Sequence, residues 1–149
     1  MNVPIVNPTT RKNIRKLLWD AIAELSDIDY QVATWGKMDN PHFTFVEFAE
    51  SYFDCISDGV DDAVRHGMLS ESESNTLRPM DDALRNYKTP GDDDYDIESI
   101  LNDLAWKKVV SISFECREKL KLLLNSDDAV ELLRSIKSVS ELRSSRNSD

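Results

Sequence analysis

The sequence predicts an all-α fold, a single-domain bundle of five to seven helices. Apolar residues recur at intervals of three and four along most of the chain, which is the period of an amphipathic helix. Only 4 Gly and 5 Pro occur among 149 residues, and no alternating run long enough for a β-strand competes with the helical pattern. A chain of this length buries roughly 70% of the surface that its unfolded form exposes, so it can form a core of its own.

The first helix is predicted from the apolar pattern of residues 14–25. Its apolar positions are Ile14, Leu17, Leu18, Ala21, Ile22 and Leu25. Asn7 is a candidate cap, and Pro8 suits the first turn because that turn makes no use of its missing N–H. Thr9 or Thr10 is the alternative cap.

A second, longer helix is predicted over residues 44–67. Thr44 and Glu47 have the spacing of a capping box, and Gly67 supplies the left-handed conformation that often ends a helix. The predicted buried face comprises Phe45, Phe48, Ala49, Tyr52, Ile56, Val60 and Ala63. Gly59 lies within this pattern and leaves open a division into two helices.

A third helix is predicted to begin at Ser70, which forms the spacing of a second capping box with Glu73. Pro79 is expected either to interrupt this helix or to start a new one. The composition of residues 89–94 predicts a loop.

Helical spacing returns after that loop and continues to Leu123, with Asn102 and Asp103 as the point where two helices can separate. Asp127 or Asp128 is expected to cap a last helix. The helical domain is predicted to span residues 1–138, followed by a frayed, serine-rich tail at 139–149.

The net charge of −10 comes from the middle of the chain. Residues 1–38 carry +1, residues 39–103 carry −13 and residues 104–149 carry +2. If residues 44–67 form one helix, six carboxylates lie within an arc of about 120° opposite its apolar face. They are Glu47, Glu50, Asp54, Asp58, Asp61 and Asp62.

This acidic stripe has two interpretations. Like charges four residues apart each destabilise a helix by a few tenths of a kcal/mol, which calls for a compensating role. One role is solubility, in which the stripe is simply a solvated face. The other is attraction of a basic partner protein, because a complementary acidic field speeds association and disfavours nucleic acid.

A second acidic group lies in the predicted loop. It comprises Asp92, Asp93, Asp94 and Asp96. As a calcium loop it fits poorly, because Ile97 stands where the turn needs Gly and Asp103 stands where a bidentate Glu is required. We therefore expect no metal, expect Asp94 or Asp96 to lie at the start of the next helix, and leave a metal-dependent enzyme as the least supported alternative.

No catalytic signature is present, and we predict a protein that is not an enzyme and needs no cofactor. Cys55 and Cys116 lie on or beside apolar faces, which indicates reduced core thiols. His42 and His66 lack metal-ligand spacing, and His66 suits a helix C-terminus.

Two further features concern partners and location. Trp35 and Phe53 are candidate aromatic anchors at the border of the acidic face, since binding hot spots favour aromatic residues. The longest apolar runs are far too short for a membrane span or a signal peptide, so the expected location is the cytoplasm.

Residues 40–64, NPHFTFVEFAESYFDCISDGVDDAV, place an aromatic face against carboxylates. In this respect the chain resembles the bacterial immunity proteins that neutralise polymorphic toxins, including those of contact-dependent growth inhibition systems. The resemblance implies a stoichiometric inhibitor that binds a toxin domain, often a nuclease, without doing chemistry. The alternative is a helical regulatory or adaptor module that forms a homodimer and uses its acidity for solubility only.

Overall fold

Eight α-helices make up most of the chain that the computed structural model describes, residues 7–37, 44–56 and 58–147, and no strand occurs in these ranges. In chain order the helices are α1 (Pro8–Leu25), α2 (Ile28–Thr34), α3 (Phe45–Ile56), α4 (Val60–Arg65), α5 (Glu71–Asn86), α6 (Ile97–Leu101), α7 (Leu104–Leu123) and α8 (Ser126–Asn147). A short 3₁₀ turn at Pro90–Asp92 precedes α6. The all-α prediction is confirmed, with one helix more than the predicted maximum.

Helices α1 and α5 start at the capping residues that the sequence predicts. Asn7 Oδ1 accepts a hydrogen bond from the Thr9 backbone N–H at 2.9 Å. The capping box of Ser70 and Glu73 is complete, with distances of 3.1 and 2.9 Å. Each bond satisfies a backbone N–H that the start of a helix would leave unpaired.

The prediction that Pro79 breaks the third helix is wrong. Pro79 lies inside α5, which continues on both sides of it. A proline there removes one backbone hydrogen bond, but Leu77 and Met80 beside it are fully buried. Their burial stabilises the helix on both sides of the proline despite the missing bond.

The single helix predicted over residues 44–67 is divided at Gly59. This glycine has φ of +136° and ψ of 178°, a conformation open almost only to glycine, and α4 begins directly after it. Gly67 has φ of +76° just after the end of α4, as the helix-ending role requires.

The C-terminal helices separate at the predicted point, and the last helix starts with a different cap from the one predicted. Asp103 caps α7 by accepting from the Ala105 N–H at 3.0 Å. The cap of α8 is Asn125, whose side chain accepts from the Asp128 N–H at 2.9 Å, so the prediction of Asp127 or Asp128 as the cap is wrong. Helix α8 continues past residue 138 to Asn147, and Val139 within it is buried.

The helices pack into one domain around a shared core. Helix α1 contacts α3, α7 and α8, while α5 packs on α4 and α7. Trp19, Trp106 and Tyr52 are fully buried in this core. Cys55 and Cys116 are both buried and unpaired, as predicted. Within the described residues, no helix combines the length and hydrophobicity that crossing a membrane requires.

A buried ion network joins three of the helices. Arg15 on α1 donates to both carboxylate oxygens of Glu73 on α5, at 2.9 and 2.8 Å, and to Asp128 on α8 at 2.9 Å. It also donates to the Met68 carbonyl at 2.7 Å. Burial alone would raise the pKa of Glu73, but Arg15 and the Ser70 backbone N–H hold that pKa below its ordinary value.

Candidate functional site: a carboxylate-lined groove between α1 and α3

Three of the predicted carboxylates lie along one side of α3. Glu47, Glu50 and Asp54 fall within about 60° of each other around the helix axis. Glu50 and Asp54 are exposed and Glu47 is half-buried. Within the described residues none of the three carboxylates forms an ion pair, so this side of α3 presents uncompensated negative charge.

This side of α3 borders a groove against α1, which we call the α1–α3 groove. Its volume is about 240 Å³. The residues that line it are Ile14, Leu17, Asp20, Ala21 and Glu24 of α1 and Phe48, Ser51, Asp54 and Cys55 of α3. Three carboxyl groups therefore share a small space with largely apolar walls, and no lysine or arginine lines it. Leu17 is 60% exposed and so forms an open edge of the groove.

Glu24 is the most buried of these carboxyl groups, with only 4% of its surface exposed. Its Oε2 accepts a hydrogen bond from the Trp35 indole N–H at 2.8 Å. In the described part of the chain, every fully buried side-chain polar atom has a hydrogen-bond partner. The other carboxyl oxygen of Glu24, Oε1, has no donor there, so it is not fully buried and reaches the groove. Burial raises the pKa of Glu24 to about 8, the Trp35 hydrogen bond opposes this, and the charge of Asp20 adds to it.

The Cys55 thiol shows that carboxylates of two helices converge on the groove. Burial raises the pKa of Cys55 to about 11, and the charges of Asp54 on α3 and Asp20 on α1 raise it further. Both carboxylates therefore lie close enough to act on one sulfur atom. A thiol that remains protonated at neutral pH is a poor nucleophile, which argues against cysteine catalysis here.

The carboxylates of α4 are neutralised within the protein. Asp61 pairs with Arg78 at 2.7 Å, and Asp62 pairs with Arg65 at 2.9 Å and lies 3.3 Å from His66. These arginine hydrogen bonds lower the pKa of both aspartates. The predicted continuous stripe over residues 47–62 is therefore wrong: the turn at Gly59 ends α3, and much of the charge that follows is compensated.

Asp58 belongs to the connection between α3 and α4. Its carboxylate is exposed and has no ion pair within the described residues, while its backbone N–H donates weakly to Asp62 at 3.4 Å. It does not line the α1–α3 groove. Of the six carboxylates predicted to form a stripe, the structure therefore places only Asp54 in the groove wall, with Glu47 and Glu50 on the same side of α3.

The acidic loop forms local turns rather than part of the groove. Asp92, Asp93, Asp94 and Asp96 are all exposed. Thr89 donates to Asp94 at 2.7 Å and the Tyr95 N–H donates to Asp93 at 3.0 Å. Asp96 caps α6, accepting from the Ser99 N–H and hydroxyl at 3.2 and 2.7 Å, which confirms the predicted cap. Within the described residues no group of three or more His, Cys, Asp and Glu side chains is arranged to hold a metal ion.

Neither of the two predicted aromatic anchors lines the α1–α3 groove. Trp35 is only 3% exposed and packs between Phe48 and Trp106, because its indole N–H finds a buried acceptor in Glu24. The prediction that Trp35 is a surface anchor is wrong. Phe53 is half-buried and lies under the Arg85 guanidinium, 4.6 Å from the ring centroid. His42, the first of the two histidines in the sequence, lies outside the described residues.

Asp20 and Glu24 are the groove carboxyl groups that the sequence did not single out, and Leu17, predicted on the apolar face of the first helix, is 60% exposed at the groove edge. Asp20 and Glu24 are four residues apart and follow Leu17 along α1, so they share one side of that helix. The balanced charge of residues 1–38 gave no reason to select them. Comparison with protein-family models, with curated proteins and with solved structures finds no match to the chain.

Proposed function

We propose that this chain is a non-enzymatic binding protein that engages a basic partner protein through the α1–α3 groove and the adjoining acidic side of α3. In its most specific form it is a bacterial immunity protein that neutralises a toxin domain, such as a nuclease, by covering a basic surface. The support for that form is the net charge of −10, the small helical fold and the resemblance of residues 40–64 to such proteins. The partner is a protein rather than nucleic acid, because phosphates would be repelled.

The observation that carries the proposal is the unpaired charge beside the groove. Some exposed carboxylates elsewhere pair within the protein, as Asp61 does with Arg78 and Glu141 with Lys137. Glu50 and Asp54 repel each other at a spacing of four residues, yet no lysine or arginine of the described chain pairs with them. A basic partner surface would compensate this charge and gain association rate from it.

The matched test uses two double variants with the same change in net charge. Glu50→Gln with Asp54→Asn removes the charge beside the groove, and Asp82→Asn with Glu115→Gln removes two exposed charges on α5 and α7. A toxin domain encoded beside this chain's gene is the partner to measure. We expect the first variant to associate about tenfold or more slowly and to lose much of its salt dependence, with the control close to wild type.

Equal association rates for the two double variants would contradict the proposed surface. Failure of the wild-type protein to bind or inhibit the neighbouring toxin domain would contradict the immunity function. Circular dichroism of each variant provides the folding control. All four side chains are exposed, so we expect their substitution to leave the fold intact.

The homodimeric adaptor remains a second candidate because α7 and α8 expose large apolar side chains. Leu104 and Leu122 are 79% and 91% exposed, and Val130 on α8 is 54% exposed. Apolar patches of this kind can mark interaction surfaces. Light scattering at low and high salt separates the candidates: a dimer that is insensitive to salt favours the adaptor, and a monomer favours the inhibitor.

A further inference from the structure

We propose that the α1–α3 groove receives one lysine or arginine side chain of a partner protein, with its cationic end held by Asp20 and Asp54 and its aliphatic stem against Leu17 and the groove walls. The inference rests on the proposed function for the identity of the partner. Its physical basis is the groove itself, whose lining residues all belong to α1 and α3.

The size and chemistry of the groove match such a side chain. A volume of about 240 Å³ is smaller than the roughly 300–1,000 Å³ of pockets that hold drug-sized ligands. Lysine and arginine combine an apolar stem with a charged end, and they bury the stem while the charge stays near water or a counter-ion. The groove offers apolar walls from Ile14, Leu17 and Phe48 and carboxylates from both helices.

Both carboxylates have acceptor capacity that the protein leaves unused. Asp20 Oδ1 accepts from the Ser135 hydroxyl at 2.5 Å, which leaves Oδ2 without a donor in the described chain, and Asp54 accepts no hydrogen bond there. The neighbouring cations of α1 are engaged on α8 and α5: Lys16 lies 4.0 Å from Glu131, and Arg15 is held by Glu73 and Asp128. Cationic donors for the groove must therefore come from outside the described chain.

Glu24 adds a third carboxyl group to the groove, and a cation bound there would act on it. Its side chain is almost completely buried, yet Oε1 faces the groove without a hydrogen-bond donor. Burial raises the pKa of Glu24 to about 8, so this carboxyl group is mostly protonated at neutral pH. A cation in the groove would favour its ionised form, whose oxygen accepts a charge-assisted hydrogen bond. An ammonium or guanidinium group that enters between Asp20 and Asp54 approaches this oxygen.

The test uses blocked amino acids, which need no knowledge of the partner. Nα-acetyl-lysine methylamide and the arginine equivalent are titrated into the protein while methyl signals of Ile14 and Leu17 are followed by NMR. We expect saturable binding of at least one cation. Nα-acetyl-norleucine methylamide, which has a similar stem but no charge, is expected to bind about tenfold more weakly, corresponding to about 1.4 kcal/mol.

Three variants locate the binding within the groove. Asp54→Asn removes a groove carboxylate and is expected to weaken binding about tenfold. Asp82→Asn removes the same charge from the exposed surface of α5, outside the groove lining, and is expected to change binding less than about twofold. Ser51→Met keeps every carboxylate but fills the groove, and it is expected to abolish binding.

The outcomes decide the proposal in both directions. Absence of saturable binding by the folded wild-type protein overturns it, as does equal binding by Asp54→Asn and Asp82→Asn. Unchanged binding by Ser51→Met also overturns it, because the cation would then sit on the surface. Cation binding to the groove without any interaction with the neighbouring toxin domain would reject the proposed immunity function alone, so the two failures are distinguishable.

Discussion

Replacing Glu24 with glutamine measures how strongly the core opposes a buried charge. In the folded protein burial raises the pKa of Glu24 from 4.5 to about 8. The unfolded chain therefore loses this proton as the pH rises above 4.5, while the folded protein keeps it until about pH 8. In this interval the unfolded state binds fewer protons, so the free energy of unfolding falls as the pH rises.

The size of the effect follows from the two pKa values. A tenfold change in an ionisation equilibrium corresponds to about 1.4 kcal/mol, so the difference between 4.5 and about 8 sets a ceiling of about 5 kcal/mol. Water that enters the groove reduces this, and we expect on the order of 2–4 kcal/mol. The glutamine side chain does not ionise in this pH range, and its amide oxygen can still accept a hydrogen bond from the Trp35 indole N–H.

The assay is urea unfolding of wild type and Glu24→Gln at a series of pH values from about 5 to about 9, followed by circular dichroism. The two proteins are expected to have similar stability near pH 5, and the variant is expected to become progressively more stable than wild type up to about pH 9. Subtracting the curves cancels groups that both proteins share. Glu50→Gln, on the exposed side of α3, is the control and should follow the wild-type curve. Parallel curves for Glu24→Gln and wild type would refute the reasoning.

Two further substitutions probe the fold. Arg15→Met leaves Glu73 and Asp128 without their buried cation and is expected to lower the free energy of unfolding by about 3–5 kcal/mol, measured from urea midpoints. A loss below about 1 kcal/mol would contradict a tightly paired network. Gly59→Ala forces a side chain into φ of +136° and is expected to cost about 1–3 kcal/mol, so an unchanged thermal midpoint would show that the connection between α3 and α4 can adopt another conformation.

Local sequence signals predicted much of the fold. Asn7 and the pair Ser70 and Glu73 mark helix starts because their side chains satisfy backbone donors within the same turn. Helix α2 was missed because it has only seven residues, too few to establish an apolar period. The division at Gly59 was left open because the apolar pattern stays in phase across it, and only the backbone dihedral angle shows the break.

The candidate site depends more on tertiary packing. Glu47, Glu50 and Asp54 were predictable as one acidic side because they belong to one helix. Asp20 and Glu24 were not, since their role arises only where α1 lies against α3. The burial of Trp35 could not be predicted from the sequence either, because it depends on a hydrogen-bond acceptor eleven residues earlier in the chain.

The ion network of Arg15 also constrains when the protein can reach its final structure during synthesis. Asp128 is 113 residues further along the chain than Arg15. At roughly 5–20 residues per second, a ribosome that has added Arg15 needs about 6–23 seconds more to reach Asp128. The first helix therefore stays without its full set of partners while most of the polypeptide is made, and completion of the native core has to await the emergence of the last helix.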